Sequence, residues 1–322
     1  MLELFRKEQP ISYVFLFLYC LLLRLAVFFA ETNWNPLSKD ALSDLIYQAS
    51  GHNNALTHIL GTVLIFIQAV IIIKLVNSNH IVRENSMFPG IFYILIVALF
   101  PDFNYFSPVL LANTCLIIFL FNILNAYKLN GPSPQVFNAG LFIGIAMLLD
   151  FSYIVFFIAG LIGFSIVKAF KLRELLQYFI GFLIPIFLCG TFYFWNGDLS
   201  GFLKLMSTGF AWMDWYINWS NTTYVKVIIF GFICLYALLN YSSGKHNSVH
   251  SKRKKEVMLW FIAFGFLTFF IQPGIRLDQL LVLAVPVSIL LSLSILQISN
   301  KQIAEVIHLI LISTSFLFQY IL

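Results

Sequence analysis

The chain has 322 residues, of which 60% are hydrophobic and only 10% charged, and its mean hydropathy is +0.90. A soluble domain carries about one quarter charged residues and leaves much of its surface wet, so this composition excludes a soluble globular fold and makes lipid the solvent. The net charge of +5 sits in short segments between apolar runs, where it reads as orientation in a membrane rather than as a nucleic-acid surface.

Apolar stretches able to span, alone or shielded by neighbours, run over 11–30, 55–76, 87–101, 108–127, 136–150, 152–168, 175–195, 223–242, 257–272, 279–298 and 302–321. A span needs about 20 apolar residues, fewer where other helices cover it. The pattern therefore predicts an all-α polytopic bundle of about eleven spans, with no soluble domain of any size. The first stretch is followed by Glu31-Thr-Asn-Trp-Asn-Pro rather than a small-residue cleavage site, so it is read as a permanent span. With the N-terminus cytoplasmic, fourteen Lys and Arg fall on the inner side, and only Lys39, Lys204, Lys226 and Arg276 fall on the outer side. That asymmetry fixes the orientation and places the C-terminus outside. The basic run Lys252–Lys255 is read as a cytoplasmic anchor meeting anionic lipid heads. Cys20, Cys115, Cys189 and Cys234 lie far apart in apolar stretches, as small core residues do. No Walker loop, HExxH or GxSxG is present, nor any internal repeat of membrane-spanning length.

Polar residues in lipid need a reason. Arg24 lies within the first span, too deep to reach the inner surface easily; it is a counter-charge for an anionic ligand or half of a structural pair with a buried acid. The first outer loop, 31–54, carries Asp40 and Asp44 on one face of a short helix begun by Ser38. Two such carboxylates can hold a divalent cation or position an acceptor hydroxyl, or form the solvated face of an interfacial helix. A second outer turn holds Asp102, and its Ser107-Pro108 pair can open the next helix. The longest outer segment, 196–224, carries Trp212, Trp215, Tyr216 and Trp219, which are interfacial anchors or a platform for a sugar ring or isoprenoid tail. The last outer turn holds Arg276, which defies the charge asymmetry. Its planar fork suits phosphate oxygens; a plain surface contact with Asp278 is the alternative. His52 and His58 flank the second span without a metal-binding spacing to any other histidine.

The order of these segments resembles the GT-C class of membrane glycosyltransferases. The likeness rests on the arginine-bearing first span and its acidic outer loop, on the short span ending near Asp102, and on Ser107-Pro108. It also rests on the glycine-rich run Asn138-Ala-Gly-Leu-Phe-Ile-Gly-Ile-Ala-Met-Leu-Leu149, on the basic stretch Lys168 to Arg173, and on Arg276-Leu-Asp-Gln-Leu-Leu-Val-Leu-Ala-Val-Pro286. The chain departs from the class in lacking a paired acidic motif in the first outer loop and in carrying Leu149-Asp150 where many members have Thr-Lys. The large soluble outer domain of the oligosaccharyltransferases is also absent. It is similar as well to a poorly characterised family of bacterial inner-membrane proteins. The resemblance implies a divergent enzyme of the bacterial inner membrane that transfers a sugar from a polyprenyl-phosphate donor to an acceptor at the periplasmic face. It implies Asp40 or Asp44 as the general base, Arg276 and Arg24 or a divalent metal ion at the phosphate, and Asp102 as an acceptor-binding carboxylate. Trp212 and Trp215 would then contact substrate. The implied partners are membrane lipid, the sugar donor and a membrane or envelope protein. The rival reading is a non-enzymatic scaffold or lipid-binding subunit of a cell-envelope complex.

Overall fold

The structure, a computed structural model, describes residues 2–29, 41–43, 46, 54–82, 85–100, 103, 106–127, 134–168, 171–209, 220–240, 249–271, 277–298 and 300–320. Asp40, Asp44, Asp102, Trp212, Trp215 and Arg276 lie outside the described residues. Among the described residues there is no strand. The helices are α1 (Pro10–Leu23), α2 (Asn54–Ser78), α3 (Phe88–Ala98), α4 (Pro108–Asn125), α5 (Pro134–Leu149), α6 (Val155–Val167), α7 (Leu172–Trp195), α8 (Leu199–Thr208), α9 (Asn221–Leu239), α10 (Val249–Leu267), α11 (Leu280–Leu296) and α12 (Lys301–Tyr320).

Each apolar stretch expected from the sequence carries one of these helices. Six are long and apolar enough to cross a membrane, on α2, α4, α7, α9, α11 and α12; α1, α3, α5 and α6 are shorter apolar helices. The chain is thus a multi-pass membrane protein. The short helices are tolerable because protein, not lipid, surrounds them: every residue of α3 is buried, as is every residue of α11 from Leu280 to Ile295. These two pack on each other at the centre, flanked by α2, α9 and α10. The outer surface is apolar. Phe187, Leu188, Phe192 and Phe194 of α7, Phe232 and Leu239 of α9, and Val306 and Ile310 of α12 all stand exposed, as lipid-facing side chains do.

Between helices already immersed in lipid, hydrophobic transfer contributes little and close packing takes its place. The glycine-rich run of α5 serves that purpose. A Cβ at Gly144 would stand 2.6 Å from the Phe182 carbonyl oxygen of α7. One at Gly140 would collide with the Tyr178 carbonyl, and one at Gly181 of α7 with the Phe137 carbonyl of α5. Ser107 caps α4 by accepting the Leu110 N–H at 3.2 Å, with Pro108 in the first turn.

The end of the bundle that gathers the basic residues is closed by polar contacts. Asn77 Nδ2 donates to Glu8 at 2.9 Å, Asn79 Nδ2 to Asn125 Oδ1 at 3.0 Å, and Lys254 Nζ to Asn79 Oδ1 at 2.6 Å. Lys168 and Glu174 form a buried ion pair at 2.7 Å. This corrects part of the reading of the basic run. Lys252 and Arg253 are exposed, but Lys254 and Lys255 are buried. Lys254 ties the start of α10 to the end of α2, where its ammonium also meets the Asn79 carbonyl at 3.0 Å, a favourable place for a cation. Burial lowers the Lys254 pKa to about 8.

Candidate functional site

The opposite end, which the charge asymmetry of the sequence assigns to the outer side, gathers the ends of α1, α3, α5, α7 and α10 and the starts of α2, α4, α6, α9 and α11. The turn between α5 and α6 lies here. Asp150 N–H donates to the Ala146 carbonyl at 2.9 Å and ends α5. The Asp150 carboxylate then accepts from Ser152 N–H at 3.0 Å and Ser152 Oγ–H at 2.5 Å, starting a 3-10 turn over Phe151–Ile154. Asp150 and Ser152 are both fully buried. The fully buried Tyr153 follows, its Oη–H directed at the Val109 carbonyl of α4 at 3.5 Å; Asp278 belongs to the short 3-10 turn Leu277–Gln279 ahead of α11.

Two outer segments dock on this turn. Leu42 N–H donates to the Leu148 carbonyl at 3.1 Å, and Tyr193 Oη–H of α7 donates to the Ala41 carbonyl at 2.8 Å. Ile46 N–H returns to the Leu42 carbonyl at 3.2 Å, one helical turn, as the sequence of the first outer loop suggests. Ala41, Leu148, Cys189 and Phe202 form a small buried cluster of their own beside the main core. Phe202 comes from α8, a helix inside the long outer segment that the hydropathy pattern does not reveal, capped by Asp198 accepting from Gly201 N–H at 3.1 Å. Gly209, just after α8, lies against Phe151: a Cβ there would stand 2.7 Å from the ring.

Ala41 and Ser43 are the bonded neighbours of Asp40 and Asp44, and Leu277 is that of Arg276. Ala41 shares the small cluster with Leu148, and Leu42 is bonded to the Leu148 carbonyl, so this described part of the first loop sits against the end of α5. Leu277 opens the short turn ahead of α11. Phe103, the neighbour of Asp102, packs on Phe100 with tilted rings whose centroids are 4.8 Å apart, and Phe100 meets Phe230 of α9. Arg24 caps the end of α1 and is 1% exposed, so it is held inside the bundle and not at its surface. His58 is buried beside Phe28.

Beneath this end a polar chain crosses the bundle interior. Tyr93 Oη–H of α3 donates to Gln68 Oε1 of α2 at 2.5 Å, Gln68 Nε2 donates to Thr114 Oγ1 at 2.7 Å, and Asn113 Nδ2 of α4 donates to Tyr93 Oη at 2.9 Å. Among the described residues no group of three or more His, Cys, Asp or Glu is placed to hold a metal ion.

In the sequence Asp150 stands out only as a departure from the GT-C pattern at Leu149-Asp150, not as a residue on which other segments dock. The available signal was that Asp150 is the only charged residue between Lys128 and Lys168, and an ionisable group inside so long an apolar region marks function or a specific partner.

Among solved structures the chain is similar to ArnT from Cupriavidus metallidurans bound to undecaprenyl phosphate, with 12% identity and a TM-score of 0.53, over 98% of this chain and 61% of that one. The apo state of the same protein matches with 11% identity and a TM-score of 0.47, over 90% of this chain and 56% of that one. The chain thus spans less than two thirds of the length of ArnT. ArnT is a GT-C glycosyltransferase, and the likeness shows that this chain shares its fold. No curated protein matches the sequence. The family model that matches covers residues 37–321, nearly the whole chain, and the chain belongs to that family, DUF6427, a family of unknown function.

Proposed function

We propose that this protein is a membrane glycosyltransferase that uses a polyprenyl-phosphate sugar as donor and works at the outer, periplasmic face of a bacterial inner membrane. The observation that supports this reading is the docking of two outer segments at one end of the bundle. Ala41, the residue after Asp40, and Leu42 hold to the Leu148 side of the buried α5–α6 turn, and Gly209 lies against Phe151. ArnT, which shares the fold, was crystallised with undecaprenyl phosphate, and this supports a lipid phosphate as the ligand.

In this reading Asp40 or Asp44 takes the proton of the acceptor hydroxyl as that oxygen attacks the anomeric carbon. The bond from that carbon to the phosphate oxygen breaks, and the lipid phosphate leaves with the electron pair. Arg276, and Arg24 from below, stabilise the charge on the leaving phosphate, an effect that strengthens as water is excluded. The isoprenoid tail runs down the apolar outer surface of the bundle, and Trp212 and Trp215 contact the sugar or tail.

The test is a lipid-linked sugar transfer assay on wild type, Asp40→Asn, Asp44→Asn and Arg276→Ala. Substitution at the true base should abolish turnover and spare donor binding, whereas Arg276→Ala should weaken donor binding. Variants equal to wild type in both respects would refute the mechanism and leave the non-enzymatic scaffold reading standing.

A further inference from the structure

We propose that Asp150 is a positioning residue that locks the two outer segments of the site into one arrangement. The carboxylate is fully buried and accepts both the N–H and the Oγ–H of Ser152. Its own backbone closes α5 on one side, and its carbonyl accepts the Tyr153 N–H at 3.2 Å on the other. The shape of the α5–α6 turn is therefore set by this one residue. What docks on that turn gives it consequence. Leu148, two residues before Asp150, receives the first outer loop through the Leu42 N–H. Phe151, the residue after Asp150, receives the end of the α8 segment at Gly209. The small cluster of Ala41, Leu148, Cys189 and Phe202 joins both segments to α5 and α7. A shift of the turn would move both contacts together, since they lie within four residues of one backbone, from Leu148 to Phe151.

Capping a 3-10 turn requires only an acceptor oxygen, and Ser or Asn would provide one. The hydrogen-bonding geometry of Asp150, rather than a direct part in bond making, accordingly predicts its role. Only the activity part of the test rests on the function proposed above.

The experiment is amide hydrogen exchange on the full chain in lipid nanodiscs, comparing wild type with Asp150→Ala, Asp150→Asn and Ser152→Ala. Asp150→Ala should speed exchange at Leu42 and Ile46 and along 202–209 together, by about fivefold, the factor expected from losing a cap. Amides at the far end, such as Asn79 and Ile81, should be unchanged. Asp150→Asn keeps an acceptor oxygen and should restore most of the protection. Ser152→Ala, which removes one of the two bonds, should loosen the same two segments to a smaller degree. Exchange that changes only within 150–153, or in only one of the two segments, or uniformly across the bundle, would overturn the proposal, as would an Asn variant as loose as Ala. In the transfer assay Asp150→Ala should lower kcat by up to about 100-fold, the scale of a small misplacement of reacting groups, with rescue by Asn. An inactive wild type would remove the proposed function, and the exchange pattern would still decide the joint.

Discussion

The close approach of α5 and α7 gives a test in which glycine-to-alanine substitution should act in opposite directions at different sites. Gly144 of α5 faces the α7 backbone: a Cβ would lie 2.6 Å from the Phe182 carbonyl oxygen and 3.2 Å from Pro185, where ordinary contact begins at 3.4 Å. The obstacle at Phe182 is backbone, so no side-chain rotation relieves it, and α5 and α7 must part by nearly an ångström. Overpacking of this kind costs about 1–3 kcal/mol. Alanine recovers about 1 kcal/mol of helix propensity over glycine. The net expectation for Gly144→Ala is destabilisation by up to about 2 kcal/mol, with Gly140→Ala at least as severe because its Cβ would meet the Tyr178 carbonyl more closely. Gly231 of α9 has nothing within 4 Å of its would-be Cβ, so Gly231→Ala should stabilise by up to about 1 kcal/mol. Thermal unfolding in detergent micelles, followed by helix content, reads all three. If Gly140→Ala and Gly144→Ala were as stable as Gly231→Ala, the α5–α7 packing described here would be wrong.

Further outcomes follow from the two ends of the bundle. Lys254 is held at a pKa of about 8 in the folded protein against 10.5 for an ordinary lysine, through burial. The unfolded chain then binds the extra proton between those values, so stability should rise as pH climbs from 8 towards 10.5 and fall back as pH drops through 8; Lys254→Met should flatten that slope in unfolding titrations. Lys252 and Lys204 are both exposed, at opposite ends. An impermeant thiol reagent should label Lys204→Cys in intact cells and Lys252→Cys only after permeabilisation; the reverse pattern would invert the topology. Arg24→Lys keeps the charge but loses the planar fork. It should weaken retention of a polyprenyl phosphate in detergent while leaving the unfolding temperature within a few degrees of wild type, and equal retention would remove Arg24 from the site.

The positions of the helices were legible because lipid demands long apolar runs, and those runs survive divergence even where motifs do not. Each predicted stretch carries a helix, including short α3 and α6, because burial by neighbours substitutes for length. The helix α8 was not legible. Its apolar side is small, with Phe202 as its buried residue, and it looks like polar loop to any window scaled to a membrane span. The basic run misled by half. A charge run says nothing about which side chains face inward, and helical geometry turned Lys254 and Lys255 towards the core while Lys252 and Arg253 stayed out. For the site, sequence singles out carboxylates and an arginine that break lipid rules, all outside the described residues, but not the turn on which the neighbouring segments dock. Asp150 stands in the sequence only as a departure from the GT-C pattern, and the hydrogen bonds from Ser152 with the docking of Leu42 and Gly209 beside it show that two other segments meet at this turn.

The central claim is that the outer end binds a polyprenyl phosphate through its phosphate group, and native mass spectrometry of the purified protein with polyprenyl phosphate and unphosphorylated polyprenol tests it most directly. The account predicts retention of the phosphorylated lipid over the alcohol by wild type, with that preference lost in Arg276→Ala and kept in Asp40→Asn and Asp44→Asn. Equal retention of both lipids by wild type, or an unchanged preference in Arg276→Ala, would contradict it.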